Sequence, residues 1–425
     1  MYFQYFPSSS TVKYFMKGWD WSSFSCLYQG PAAANKVVMR MLLAISANDM
    51  HRDGLIVRPS GQPTAQDHAH YHYSLAAKEF RELLESPKGC ISQEDLEMIF
   101  ATMFLMVLYE WQFGHCPRNL QLHLRGVRSL LESRPNLFKM KDVNNAFLPV
   151  DGADSTAGGS GSSISYILEQ LLIWILYVDV STRPIAPVES SLYDYVLKSG
   201  NPALHPDQLH RCARLWARCF WGEKYPDLEV LDDIENHRAL ELFHEGMGLR
   251  YKTWKVVESN GSADVGYTAE SLFNEIMEIR DKYSDLFITS KYAGGISARR
   301  TLKTIHFAVS TFYAQILFHR RLLWPNTPPS VLHRQSVTNI IEIAHKQYNS
   351  DPRALRRMHW ALLMAVIETD NVGHRDWIRE RIGEFRYFHS EYEWASQVAD
   401  DVLAEQDVNR GKYVNLGEFL RRRCV

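Results

Sequence analysis

Apolar residues recur at helical spacing along nearly the whole chain, and the alternation of a half-buried strand is almost missing. Leu75, Ala76, Phe80, Leu83 and Leu84 follow the helical period until Ser86-Pro87-Lys88-Gly89 stops it. Ser92 stands three residues before Asp95, an N-cap pattern, and opens a segment through Trp111 that is apolar on almost every side. Such a helix belongs in the middle of a protein. A third helix is expected over 120–133, stopped by Pro135, and further ones over 164–181, 189–199, 205–221, 231–258, 268–283, 296–323, 330–349, 353–369 and 374–383. Pro184, Pro187, Pro202, Pro206, Pro226, Pro325, Pro328, Pro329 and Pro352 fall between these stretches, where a residue without an N–H does no harm. The pattern predicts an all-α fold of packed helical hairpins in one globular unit. No period is regular enough to name a repeat family.

The expected organisation is an N-terminal arm over 1–36 and an all-helical domain over 37–425. FLPVDGADSTAGGSGSS, residues 147–163, is the one low-complexity segment; its Gly and Ser content predicts a flexible loop. The 425 residues, 46% of them hydrophobic, suffice for a large core. Lys and Arg number 47 against 49 acids, so the chain has no general attraction to phosphate backbones or anionic membranes. Neither direct nucleic-acid binding nor membrane association is expected, while assembly into a homo-oligomer is left open. The cysteines at 26, 90, 116, 212, 219 and 424 include no C-x2-C pair, so no zinc finger or six-cysteine zinc cluster can be built from them. Sparse cysteines suit a reducing compartment. No basic leader with an unbroken apolar run opens the sequence, and the apolar run 164–180 is interrupted by Glu169, Gln170 and Asp179. A soluble cytoplasmic protein is the expectation.

Three constellations have the residue types for chemistry. Asp232, Asp233 and Glu235, in LDDIEN, offer carboxylates that can share Mg2+ and leave coordination sites for a diphosphate. Acids in a first helical turn also complement the helix dipole, which is the plainer explanation. Glu270, Asn274 and Glu278 share one stripe at i, i+4 and i+8, another possible oxygen-ligand set, with Leu272, Phe273, Ile276 and Ile279 on the opposite side. A solvated face of an amphipathic helix looks the same. Among Arg183, Arg250, Arg299, Arg300, Arg320 and Arg321, it is Arg300, with Lys303 and His306 on adjacent turns, that best suits a phosphate. Asp179 in an otherwise apolar helix predicts an internal pair with Arg183. His68, His70 and His72 would suit a metal only in extended backbone, because a helix splays them. No G-x-S-x-G, phosphate-cradling glycine loop or dinucleotide fingerprint is present.

MHWALLMAVIETDNVGHRDWIRERI (358–382), QLHLRGVRSLLESR (121–134), LLIWILYVDVSTR (171–183) and HRRLLWP (319–325) together resemble the all-helical regulatory region of fungal zinc-cluster transcription factors, over roughly 37–400. The chain is also similar to fungal humulene synthase-type sesquiterpene cyclases, which share that scaffold and lack the zinc cluster. The second resemblance implies a Mg2+-dependent cyclase of fungal secondary metabolism that ionises farnesyl diphosphate. Asp232 and Asp233 would be catalytic, and the metal ligands would come from Asp232, Asp233, Glu235, Glu270, Asn274 and Glu278. Arg300 and Lys303 would hold the departing diphosphate. The first resemblance implies a nuclear transcriptional regulator without its own zinc-cluster module. The cyclase is the first expectation, because its chemistry uses both acidic clusters; the regulator is the alternative.

Overall fold

The computed structural model describes residues 1–15, 17–56, 61–85, 93–114, 117–134, 166–182, 191–215, 217–259, 266–293, 299–386, 390–408 and 414–424. Among them the fold is all-α, without a strand. The expected loop at 147–163, the N-cap Ser92 and Arg183 lie outside the described residues.

Helices of nine residues or more are numbered here in chain order. They are α1 (Lys36–Arg52), α2 (Ala65–Glu85), α3 (Gln93–Phe113), α4 (Pro117–Ser133) and α5 (Tyr166–Ser181). Next come α6 (Pro206–Leu215), α7 (Asp227–Glu258), α8 (Ala269–Lys282), α9 (Ser284–Tyr292) and α10 (Arg300–Leu323). The last are α11 (Val331–Ser350), α12 (His359–Glu368), α13 (Val372–Phe385), α14 (Ser390–Val408) and α15 (Leu416–Cys424). Short side chains mark the starts. Asn35 accepts from the Val37 N–H, Asn371 from the His374 N–H, and Thr268 exchanges reciprocal bonds with Ser271 as a capping box. The expected helix 231–258 begins earlier, at Asp227, because Pro226 takes the N-cap position. The expected 353–369 is a 3-10 turn, Pro352–Arg357, followed by α12.

α1 pairs with α2 and α3, α5 bridges α3 to α6 and α7, and α14 returns to α3. That return is fastened by Ser390, whose hydroxyl donates to the Trp111 carbonyl at 2.6 Å, and by the Trp111 ring N–H, which donates to Glu391. α3 is apolar enough by length to cross a membrane over Asp95–Phe113, but 94% of that window is buried inside the fold, as a core helix must be.

α10 is the centre of the second half. It packs on α7, α8, α9, α11, α12 and α15 and is buried from Thr304 through Leu322 on every face but Ser310's neighbour Thr311. Asp232–Arg300 and Thr253–Gln315 contacts place it parallel to α7, while α8 runs back against α7 through Lys252–Glu275 at 2.6 Å and Lys282–Glu245 at 2.6 Å. At its C-terminal end Arg320 and Arg321 meet Glu368 of α12, at 3.0 and 3.4 Å, with all three side chains at most 2% exposed. Arg320 also donates to the Thr327 carbonyl at 2.6 Å, pinning the turn that follows α10. Two of the segments that carry the transcription-factor resemblance, HRRLLWP and MHWALLMAVIETD, thus meet at a buried ion cluster.

Removing the anion would take from two buried guanidiniums the carboxylate they share. Glu368→Ala is therefore expected to cost about 3–5 kcal/mol, read as a lowered urea midpoint at unchanged slope. Burial also holds His306, His319 and His333 at about 4, well below the ordinary 6.5. The unfolded chain binds protons in that window that the native state does not, so stability falls as pH drops from 6.5 towards 4. The slope approaches about 1.4 kcal/mol per pH unit for each such histidine; urea titrations at pH 7 and pH 5 that coincide would contradict this.

Candidate functional site

The N-terminal half of α7 projects Glu229, Asp232, Asp233 and Glu235 toward the start of α10 and toward the chain's first twenty-odd residues. α7 starts at Asp227, so Asp232 and Asp233 stand in its second turn rather than at the N-terminal amides. Lys17 reaches over from the arm. Its Nζ lies 2.6 Å from Asp233, 2.8 Å from Glu229 and 3.9 Å from Asp232, and it donates to the Tyr225 hydroxyl at 2.8 Å. Tyr225 in turn donates to Asp233. Arg300 donates to Asp232, and Glu235 accepts from the Thr301 hydroxyl at 2.8 Å. Asn236 donates to the Asp232 carbonyl at 2.6 Å. Glu229, Asp232 and Asp233 are thus held by Lys17 and Arg300 and Glu235 by the Thr301 hydroxyl, and these contacts hold the arm and α10 against α7.

The second cluster stands elsewhere. Glu270, Asn274 and Glu278 are exposed on α8, whose Leu272, Ile276 and Ile279 face the core. Because α8 runs antiparallel to α7 with Glu275 at Lys252 and Lys282 at Glu245, Glu270, Asn274 and Glu278 lie roughly 25 Å or more along the helix axis from Asp232. Among the described residues no three His, Cys, Asp or Glu side chains are grouped to hold a metal ion. Of the two cations assigned to a diphosphate, Arg300 is taken up by Asp232, and Lys303 stands 4.0 Å from Asp351. The two acidic clusters do not converge.

What the structure does enclose is a small aromatic chamber beside the Lys17 cluster, about 80 Å3 in volume, room for a few waters or one small molecule. Phe15, Phe24, Phe104, Tyr166, Trp174 and Phe307 supply its walls. Lys17, Arg214, Arg300 and Arg357 supply positive charge, against Asp233 as the one lining acid. Burial, with Arg214 close by, lowers Arg300 to about 10; burial alone dominates the lowering of Arg357, also to about 10. Arg357 donates to the Tyr14 carbonyl at 2.7 Å, so the arm closes one side of the chamber and α10 the other. Arg214 differs from its neighbours: among the described residues it has no hydrogen-bond or ion-pair partner, and its Nε is buried. The chamber thus presents one uncommitted guanidinium among rings, a setting for a small anion with an apolar body.

The sequence reading named Arg300, Asp232 and Asp233 here but missed Lys17, Arg214, Tyr225 and Arg357. Lys17 had a signal, as a cation inside an otherwise aromatic stretch, KYFMKGWDW; Arg214 had none. Asp179 accepts from the Tyr193 N–H at 2.9 Å, so its buried carboxylate meets the first turn of the short helix Leu192–Lys198. His68, His70 and His72 lie on helix α2, and His68 bonds Tyr2 at 2.9 Å. Lys17→Met is expected to lower stability by about 1–3 kcal/mol and to expose the arm to limited proteolysis near residue 17. Unchanged cleavage kinetics would separate the arm from this cluster.

No curated protein and no solved structure matches the chain. A family model does: the fungal specific transcription factor domain, over residues 27–211. That match spans α1 to α5 and the first six residues of α6, and so includes the chamber's Phe104, Tyr166 and Trp174, while Arg214 follows its end. It overturns the expectation of a sesquiterpene cyclase, which nothing in the comparisons supports. Over residues 27–211 the chain is similar to the fungal specific transcription factor domain.

Proposed function

We propose that this chain works as the regulatory body of a fungal transcriptional regulator, a nuclear protein whose helical domain responds to a small effector. The observation that carries the reading is the family match over 27–211. The chamber supports it: Arg214 offers an effector carboxylate a partner, and the aromatic walls offer its carbon skeleton a dry surface. The chain's formal charge of −2 gives it no general pull on DNA phosphates. Reading of promoter sequence therefore falls to a separate module or partner, and the helical body governs activity. Because the arm forms one wall, an effector's arrival and the seating of residues 14–24 are coupled.

Fusion of the full chain to an unrelated DNA-binding domain tests this in a fungal host carrying the matching reporter. Reporter output is expected to differ several-fold from that of the DNA-binding domain alone, and Arg214→Met is expected to remove the response to growth conditions while leaving the protein level unchanged. Output equal to the control across all conditions would refute a regulatory role.

A further inference from the structure

A second and larger cavity, about 750 Å3, lies on the other side of α7, between α6, α7 and α8. Its chemistry is set by a chain of hydrogen bonds in its wall. His244 Nε2 lies 2.8 Å from Asp207 Oδ1, His244 Nδ1 lies 2.9 Å from the Tyr177 hydroxyl, and that hydroxyl lies 3.1 Å from His210 Nδ1. Only one arrangement of protons fits neutral rings. A carboxylate cannot donate, so His244 Nε2 carries its proton and donates to Asp207; its Nδ1 then accepts from Tyr177, and the Tyr177 oxygen accepts from His210 Nδ1–H. His210 Nε2 is left as a bare acceptor. His210 is only 5% exposed and lines the cavity, and its Nε2 has no hydrogen-bond partner. Burial, reinforced by Arg214, keeps this imidazole neutral. The two rings stack at 4.3 Å and 12°, which fixes the acceptor's direction. A buried acceptor left unmet is costly unless a donor arrives.

The rest of the lining says which kind of donor. Asp207, Glu241, Glu245 and Glu275 line it with Arg211 and Lys252; Lys252 pairs with Glu275 and Lys282 with Glu245, so Asp207 and Glu241 are the lining acids without a close lysine pair. Tyr251 and Tyr267 add rings to the lining, and the Lys252 ammonium over the Tyr267 ring at 5.3 Å shows a cation seated on such a face. We infer that this cavity is a binding site for a small organic amine, whose ammonium N–H donates to His210 Nε2 while Asp207 and Glu241 balance its charge. It is distinct in place and in sign from the cation-lined chamber, and it does not depend on the regulatory reading.

Three probes of one shape separate the possibilities: tyramine, the neutral 4-ethylphenol, and the anionic 3-(4-hydroxyphenyl)propanoate, each titrated by calorimetry into the full chain. Tyramine is expected to bind at least tenfold more tightly than 4-ethylphenol, and the propanoate is expected not to bind. His210→Phe keeps a ring of similar size without the acceptor and should weaken tyramine by about tenfold or more. Circular dichroism reports whether that variant folds. If it does not, Asp207→Asn, at a side chain 76% exposed, replaces it and should weaken tyramine several-fold by releasing the relay. The inference fails if no probe binds, if the propanoate binds as well as the amine, or if the folded variant binds tyramine unchanged.

Discussion

Glu368 between Arg320 and Arg321 is the interaction on which the second half of the fold depends. Three formal charges out of water are tolerable only together, because each alone would bear a desolvation penalty of several kcal/mol. Their positions tie the end of α10 to the end of α12, and the spare donors of Arg320 fix the carbonyl of Thr327 beyond the helix. α10 can therefore be buried on nearly all sides and still carry Gln315, His319 and both arginines, since each polar group has a destination: Gln315 at Thr253 and His319 at the Ala269 carbonyl. The cluster specifies which helix packs where, which an all-apolar seam would leave to shape alone.

Charge organises the other end of α10 differently. There the pairs are partly wet, and they join three chain segments remote in sequence: the arm through Lys17, α7 through Glu229, Asp232 and Asp233, and α10 through Arg300. Carboxylates that are matched in this way serve assembly. Reading them as metal ligands asked the same oxygens to be free, and the cations that take them up could not be seen from spacing. Arg214 marks the difference, since it sits in the same region with its charge unspent and so points to a ligand rather than to a joint.

Helix content and most helix positions were legible because they rest on local rules, namely period, caps and proline. Boundaries slipped where a proline acted as a cap, as Pro226 does, or where a turn tightened to a 3-10 form at Pro352–Arg357. Helices α14 and α15 were not anticipated as separate elements. The Glu270, Asn274 and Glu278 stripe was ambiguous on paper, yet its opposite face, Leu272, Ile276 and Ile279, already held the answer, because a helix that buries that stripe must turn the acids to water. The histidine relay was out of reach. Asp207, His210, His244 and Tyr177 lie on three helices, and no spacing rule joins residues 177 and 244.

The arm has a mechanical consequence. One wall of the aromatic chamber is held by Lys17 against three carboxylates and by Arg357 against backbone carbonyls at Lys13 and Tyr14, with the Phe15 ring wedged against Trp174 at 4.6 Å. A wall fastened at one end by charge and at the other by oily contact answers to two different solvents. Concentrated salt weakens the first fastening and strengthens the second, so the balance between the arm's two attachments is set by its ionic surroundings.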